Sequence, residues 1–377
     1  MKLFNYPRVK KFKVRARNLT ISNKIILKNF QKVSTRISKH GIFILGHEVE
    51  NFEKKLSKFL NVNNVVAVNS GTSAIYLALK CLNLNFKDEI ITTPMSWLIS
   101  SSAIKIAGGK PVFADVDNNF NLDPDSVRKQ INSKTKAILV VHFYGKVAQL
   151  KSLKKIAKEH NITLIEDSAQ AFGAKLDGKY AGTYGDFGTY SFSPMKVFGS
   201  FGNAGAIVFK DKKYLNTLRS LRSCGTINRE ICKDAELKFD IDPLQAALIN
   251  ENFNVYSKLK QKRINFAKRY FSNLSSHYEM LPKVEKEYNH TFYDYTILVN
   301  NRNKLINYLY DKGIEVKVRH PILINHQPLF KNLNKVKLKN AEYFVKKILS
   351  LPMHYNLNFD QIDYVSEHLI KFKKKFN

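Results

Sequence analysis

The sequence predicts an α/β fold: a mostly parallel mixed sheet with helices on both faces, followed by a smaller α+β C-terminal domain. Two observations carry this expectation. Between Val65 and Phe209, short β-branched runs alternate with helical stretches, the pattern of repeated β-α-β units. Beyond a long helical stretch opening at Pro243, that alternation gives way to a less regular mixture. The 377 residues are 44% hydrophobic and 12% aromatic, enough apolar material for a sizeable core.

Residues 23–39 read as a basic amphipathic helix closed by Gly41, and residues 48–60 place apolar side chains at helical spacing. Strands are expected at 65–68, 89–92, 111–113, 137–142, 162–166, 189–192 and 206–209. The intervening helices are expected at 72–84, 96–107, 124–131, 150–160 and 213–222. Residues 223–238 are polar and read as a surface loop, and a helix runs from Pro243 to about Asn273. The last part should hold strands at 292–299 and 315–319, with helices at 302–312, 339–349 and 359–374. A large domain over residues 1–255 and a small one over 256–377 then divide within the long helix.

Composition narrows the function classes. No apolar stretch approaches the roughly 18 residues of a helical membrane span. No apolar segment ending in a small-residue cleavage site follows the basic N-terminus, so a cytoplasmic protein is expected. Cys81, Cys224 and Cys232 are too few and too scattered for a disulfide framework or a four-ligand zinc site, and no metal is expected. The net charge of +31 could suit nucleic acid or an anionic membrane, but the lysines are spread along the chain. Dense patches occur only at residues 10–17 and 371–375, so a specific nucleic-acid partner is not expected, nor any partner for residues 10–17. A positive field would still draw in a doubly charged diphosphate substrate.

The chemistry-bearing residues fall at the ends of predicted strands. Asn69-Ser70-Gly71-Thr72-Ser73 joins a strand to a helix, where a tight turn, the hydroxyls of Thr72 and Ser73 and the positive helix end favour a phosphate. A plain helix cap explains the same residues. Asp167 sits at the C-terminal end of a strand, where open α/β sheets place ligands, with Gln170 three residues on; capping is an equal alternative. Trp97, the only tryptophan, follows a strand and offers a flat face for stacking, although a lone tryptophan more often fills a core. Lys196 follows a β-type run containing Ser191 and precedes a Gly-rich loop. A Schiff-base lysine, a carboxylate for a pyridine nitrogen and a phosphate turn are the parts a pyridoxal phosphate enzyme needs.

Several stretches together resemble the DegT/StrS type of sugar-nucleotide aminotransferase, which has the fold-type I pyridoxal phosphate architecture. They are Ile44-Leu45-Gly46-His47-Glu48-Val49-Glu50-Asn51-Phe52-Glu53, Val68-Asn69-Ser70-Gly71-Thr72-Ser73-Ala74, Glu166-Asp167-Ser168-Ala169-Gln170-Ala171-Phe172-Gly173 and Ser191-Phe192-Ser193-Pro194-Met195-Lys196, joined by Leu244-Gln245-Ala246-Ala247 and Ser350-Leu351-Pro352-Met353-His354. The resemblance implies roles by position. Lys196 would carry the cofactor and shuttle the proton, Asp167 would partner the pyridine nitrogen, and Gln170 would partner the ring hydroxyl. Trp97 would stack on the ring, and Thr72, Ser73 and Ser191 would hold the phosphate. It also implies a homodimer with shared sites, in which Lys238 reaches the neighbour's phosphate where relatives often have asparagine. L-glutamate and a nucleotide-linked keto-sugar are the implied substrates, in surface-glycan or amino-sugar biosynthesis. Departures occur at Val197, Asn203, Tyr293 and Arg319, the last two standing where histidines are expected. A same-fold sugar dehydratase is the nearest alternative, but those relatives replace the lysine with histidine. A basic, non-catalytic protein binding nucleic acid or membrane is the alternative of another class.

Overall fold

The computed structural model describes residues 11–228, 230–285, 290–333 and 336–376. Two helices, α1 (Lys24–His40) and α2 (His47–Leu60), precede the sheet. The chain then runs through β1 (Asn64–Val68), α3 (Gly71–Lys80), β2 (Glu89–Thr92), α4 (Ile99–Ile106), β3 (Lys110–Phe113), α5 (Pro124–Gln130), β4 (Thr135–Val141), α6 (Leu150–Glu159) and β5 (Thr163–Asp167). A short hairpin, β6 (Lys175–Leu176) with β7 (Lys179–Tyr180), leads to β8 (Phe187–Ser191), β9 (Gly205–Phe209) and α7 (Tyr214–Arg222).

Seven strands form one sheet in the order β1-β9-β8-β5-β4-β2-β3. Only β9 runs against its neighbours; β3, β2, β4, β5 and β8 pair in parallel. Alternate residues of each strand enter different cores, as the two-residue pleat requires. Val66, Val68, Leu139 and Val141 pack with α3, α4 and α7, whereas Ile138 and Val140 pack with α5 and α6. In α6 the lysines face solvent while Leu150, Leu153 and Ile156 are buried, so its charge lies on a solvated face.

The remainder is built around α8 (Pro243–Leu274), an unbroken helix that begins on an Asp242 cap with proline in its first turn. Its first part (Ala246, Ile249, Tyr256) packs with β1, β8 and β9. Its last part (Ile264 to Leu274) joins a separate core with β12 (Tyr295–Leu298), α9 (Arg302–Asp311), β13 (Ile348–Leu351) and α11 (Phe359–Phe376).

Some expectations are corrected. Residues 315–319 form no strand: Glu315 N–H donates to Val14 O, and Lys317 pairs with Ser350 only as an isolated bridge. Helix α10 (Lys339–Lys347) stops short of residue 349 because Ile348–Leu351 pairs antiparallel with β12. The 223–238 loop contains a small hairpin, β10 (Thr226–Ile227) with β11 (Ile231–Cys232). Helices α3 and α4 are shorter than expected, and Trp97 precedes α4 rather than lying within it. Cys81 is buried, Cys224 and Cys232 are exposed, and all three are free thiols. Among the described residues no helix is long and apolar enough to cross a membrane.

The basic segment before α1, for which no partner is expected from sequence, is strapped down from Phe12 to Ser22; Lys10 lies outside the described residues. Lys13 and Val14 donate to Gly313 O, Met353 N–H donates to Ala16 O, and Asn356 donates to Thr20 O.

Candidate active site

The sheet register brings the predicted residues to one edge. Val68 pairs with Gly205, Gly205 with Ser191, Thr189 with Asp167, and Asp167 with Val141. The turns leaving β1, β5 and β8 therefore collect at the same rim. At β1 the chain turns into α3 with Ser70 as N-cap: its Oγ accepts the Ser73 N–H at 3.1 Å, and the Ser73 hydroxyl donates to Asn69 Oδ1 at 2.5 Å. Ser73 thus serves the cap, while the Thr72 side chain is exposed and its hydroxyl has no hydrogen-bond partner among the described residues. Gly71 is pressed against β8: a Cβ there would lie 2.6 Å from Ser191 Cβ and 3.3 Å from its Oγ. Only glycine lets the α3 N-terminus and the Ser191 hydroxyl share this cradle.

Asp167 is 5% exposed. Its Oδ1 accepts the Ala169 N–H at 3.0 Å, and its Oδ2 accepts the Ser100 hydroxyl at 3.3 Å. Burial pushes this carboxyl above the ordinary range, opposed by the Ala169 amide, the Lys196 charge and the Ser100 hydroxyl. Gln170 Oε1 accepts the Tyr144 N–H at 2.8 Å, which leaves its amide hydrogens to donate elsewhere. Lys196 sits half-buried in the turn after Ser193-Pro194, with Nζ 5.2 Å from the centre of the Tyr293 ring. A cavity of about 440 Å³ adjoins it, lined by Leu19, Ile26, Phe198, Phe201 and Tyr355.

Trp97 is 61% exposed, so its indole fills no core; it stands edge-on to His320 with ring centres 6.4 Å apart. The backbone of Lys238 lies beside the Asn69 turn of its own chain, since Asn69 donates to Lys238 O at 3.4 Å and to Phe239 O at 2.8 Å. The Lys238 side chain is 57% exposed, with Nζ 4.0 Å from Asp240.

Three groups of residues escape sequence reasoning. His142 and Glu166, both fully buried, pair at 2.9 Å, and Glu166 also accepts the N–H groups of Gly182, Tyr184 and Gly185. Because His142 Nδ1 accepts the Ala148 N–H, its Nε2 carries the hydrogen given to Glu166. Glu166 belongs to the acidic strand end, so its burial could have been inferred. Ser100 has no signal beyond its place after Trp97. The third group is Arg17 and Asp294, which join Arg319, a position the sequence already marks as a departure. Arg17 Nη2 donates to Asp294 Oδ1 at 2.7 Å and to Tyr293 O at 2.6 Å, and Arg319 Nε lies 3.3 Å from Asp294 Oδ2.

The model of the DegT/DnrJ/EryC1/StrS aminotransferase family matches residues 24–370. The chain belongs to that family. It is 33% identical over 351 residues to a "pleiotropic regulatory protein" of Geobacillus stearothermophilus, covering 92% of this chain and 94% of the relative. It is 31% identical to a UDP-N-acetyl-3-dehydro-alpha-D-glucosamine 3-aminotransferase of Acidithiobacillus ferrooxidans, covering 87% and 89% of the two chains. Among solved structures it is similar to S. venezuelae DesV in complex with a ketimine intermediate, with TM-score 0.92, 27% identity and coverage of 97% and 99%. It is also similar to NtdA of Bacillus subtilis with bound cofactor PMP, with TM-score 0.88, 30% identity and coverage of 99% and 88%.

The DegT/DnrJ/EryC1/StrS aminotransferases are pyridoxal phosphate enzymes, and the chain has their fold. Its own residues fit the cofactor. The Gly71 cradle meets two free donors, the Thr72 amide and the Ser191 hydroxyl, as a phosphate requires. Among the described residues the buried Asp167 forms no salt bridge, which suits a partner for a protonated ring nitrogen.

Proposed function

We propose that this aminotransferase moves an amino group from L-glutamate to the keto carbon of a nucleotide-linked sugar, in surface-glycan or amino-sugar biosynthesis. The convergence of Lys196, Asp167 and the Gly71 cradle at one sheet edge carries the proposal. The names of relatives supply the substrate class, one acting on a dTDP-linked and another on a UDP-linked amino sugar.

When bound, pyridoxal phosphate supplies an electron sink for negative charge at the substrate Cα. Thr72, Ser73 and Ser191 would hold the phosphate, the Ser73 hydroxyl turning from its cap to do so. Asp167 would keep a proton on the ring nitrogen, and the free amide of Gln170 would donate to the ring hydroxyl. Trp97 would stack on the ring. Lys196 Nζ would move the proton between the substrate Cα and the cofactor's C4′, a task a positioned group accelerates by about 10²- to 10⁴-fold. The same residues would act in reverse on the sugar.

A homodimer in the cytoplasm completes this proposal. Phe43 and Leu237 are 64% and 71% exposed, apolar surface that a second copy would cover while bringing Lys238 to the neighbouring phosphate. Absorbance of the protein loaded with pyridoxal phosphate, before and after excess L-glutamate, tests the donor half. A visible band that glutamate converts to a near-ultraviolet one is expected. No band would remove Lys196 as the attachment point, and a band indifferent to glutamate would remove glutamate as donor. Sedimentation at micromolar concentration checks the dimer, and a monomer would refute the shared site.

A further inference from the structure

Among the described residues, the arginines near Lys196 outnumber the carboxylates paired with them. Asp294, 2% exposed, is the only carboxylate paired with Arg17 or Arg319 among the described residues. Arg263, also 2% exposed, faces no carboxylate there and donates instead to Phe292 O at 2.7 Å. Lys196 Nζ and the Arg17 guanidinium both lie against the Tyr293 ring, at 5.2 and 4.6 Å from its centre. Buried cations without counter-ions are unfavourable, so this surplus favours an anionic ligand.

The cations differ in what they have left to give. Arg17 is committed to Met353 O at 3.0 Å, Tyr293 O at 2.6 Å and Asp294 at 2.7 Å. Arg319 makes only the Asp294 contact, its Nη2 reaching Oδ1 at 3.4 Å, and its side chain is 18% exposed. Asp294 therefore anchors Arg319 by one side and leaves the rest of its donor fork open. His320, the next residue, packs against Trp97, Phe143 and Tyr144. Burial, with Arg319 and Lys196 nearby, holds its pKa down to about 4, so a neutral ring adds no competing charge.

We infer that Arg319 binds a carboxylate of the substrate, pairing its planar guanidinium with both oxygens while Asp294 and Arg17 hold it in place. This rests on the aminotransferase reading and assigns one substrate group to one residue. The carboxylate has two possible sources, the amino donor or a uronic acid on the sugar, and the two half-reactions separate them.

The test uses the pyridoxal phosphate holoenzyme with Arg319→Gln and Arg319→Lys. Glutarate, a dicarboxylate that cannot react, serves as the binding probe by calorimetry, alongside UDP-glucuronate and UDP-glucose. Loss of a charged hydrogen-bonded pair should weaken carboxylate binding by roughly 10- to 100-fold in Arg319→Gln, with partial recovery in Arg319→Lys. Weaker glutarate binding with a raised KM for glutamate identifies the donor. Weaker UDP-glucuronate binding, with glutarate and UDP-glucose unchanged, identifies the sugar. Wild-type affinity for both carboxylates in the two variants overturns the inference, as does equal loss of UDP-glucose. If Arg319→Gln does not fold, Arg319→Lys decides alone, since it keeps the charge and loses the fork. Failure of the wild type to react with glutamate would remove glutamate as donor instead, and glutarate and UDP-glucuronate binding would still judge Arg319.

Discussion

The sheet edge and the face opposite it meet at Lys196 but are held by different forces. Asp167, Ser191 and the Asn69 turn are placed by strand register and by backbone amides. Tyr293, Asp294 and Arg319 are placed by guanidinium pairs, one of them arriving from the N-terminal strap. Register depends on the backbone and the alternation of apolar residues, so it tolerates many side-chain changes. A buried charge cluster depends on each member, because removing one leaves another uncompensated. The difference explains why departures from the family pattern at Tyr293 and Arg319 leave the cofactor edge intact.

Breaking the comparison starts with the largest effect. Lys196→Ala should abolish the visible cofactor band and lower turnover by about 10²- to 10⁴-fold, while leaving the fold in place. Arg17→Met removes a partner from Asp294, strands the Met353 carbonyl and leaves Tyr293 O only its 3.4 Å contact from Arg263; an unfolding loss of about 2–4 kcal/mol is expected by chemical denaturation. A loss under about 0.5 kcal/mol would mean that the charged face is not held as described. Gly71→Ala drives a methyl group into Ser191 and should cost about 1–3 kcal/mol, with weaker cofactor affinity than a surface control.

A pH titration sharpens the contrast. His290 and His354 are buried, which lowers their pKa values from 6.5 to about 3 and about 4. The unfolded chain binds protons that these folded sites refuse, so stability is full above about pH 6.5 and falls as pH drops toward 4. The slope should approach ~1.4 kcal/mol per pH unit for each histidine. His354→Gln should flatten the dependence of Tm on pH; an unchanged slope would place the titration elsewhere. Trp97→Ala is the smallest case. With its indole largely exposed, it should change stability by less than about 0.5 kcal/mol and reduce only cofactor affinity.

The same contrast decides what the sequence could reveal. All seven sheet strands are legible because β-branched runs and periodic helices are local signals, and Asp167 falls at the end of β5 as expected. Strand β13 is hidden because Ile348 and Leu349 continue the apolar spacing of α10; only pairing with β12 makes them extended. The strap reads as a run of basic residues, since its acceptors at Gly313 and Met353 lie about 300 positions away. Asp294 gives no pattern at all. Its importance comes from two arginines that chain distance conceals.

The strap also orders events in time. Arg17 leaves the ribosome 336 residues before Met353, whose carbonyl it needs. At roughly 5–20 residues per second, that interval is about 15 to 70 seconds. The strands from Asn64 to Phe209 can pair during it, because all of them emerge well before Met353. The guanidinium must wait, solvated, for Met353. Assembly around Lys196 therefore follows pairing of the sheet, and a nascent chain stalled before Met353 would hold a paired sheet with an open catalytic face.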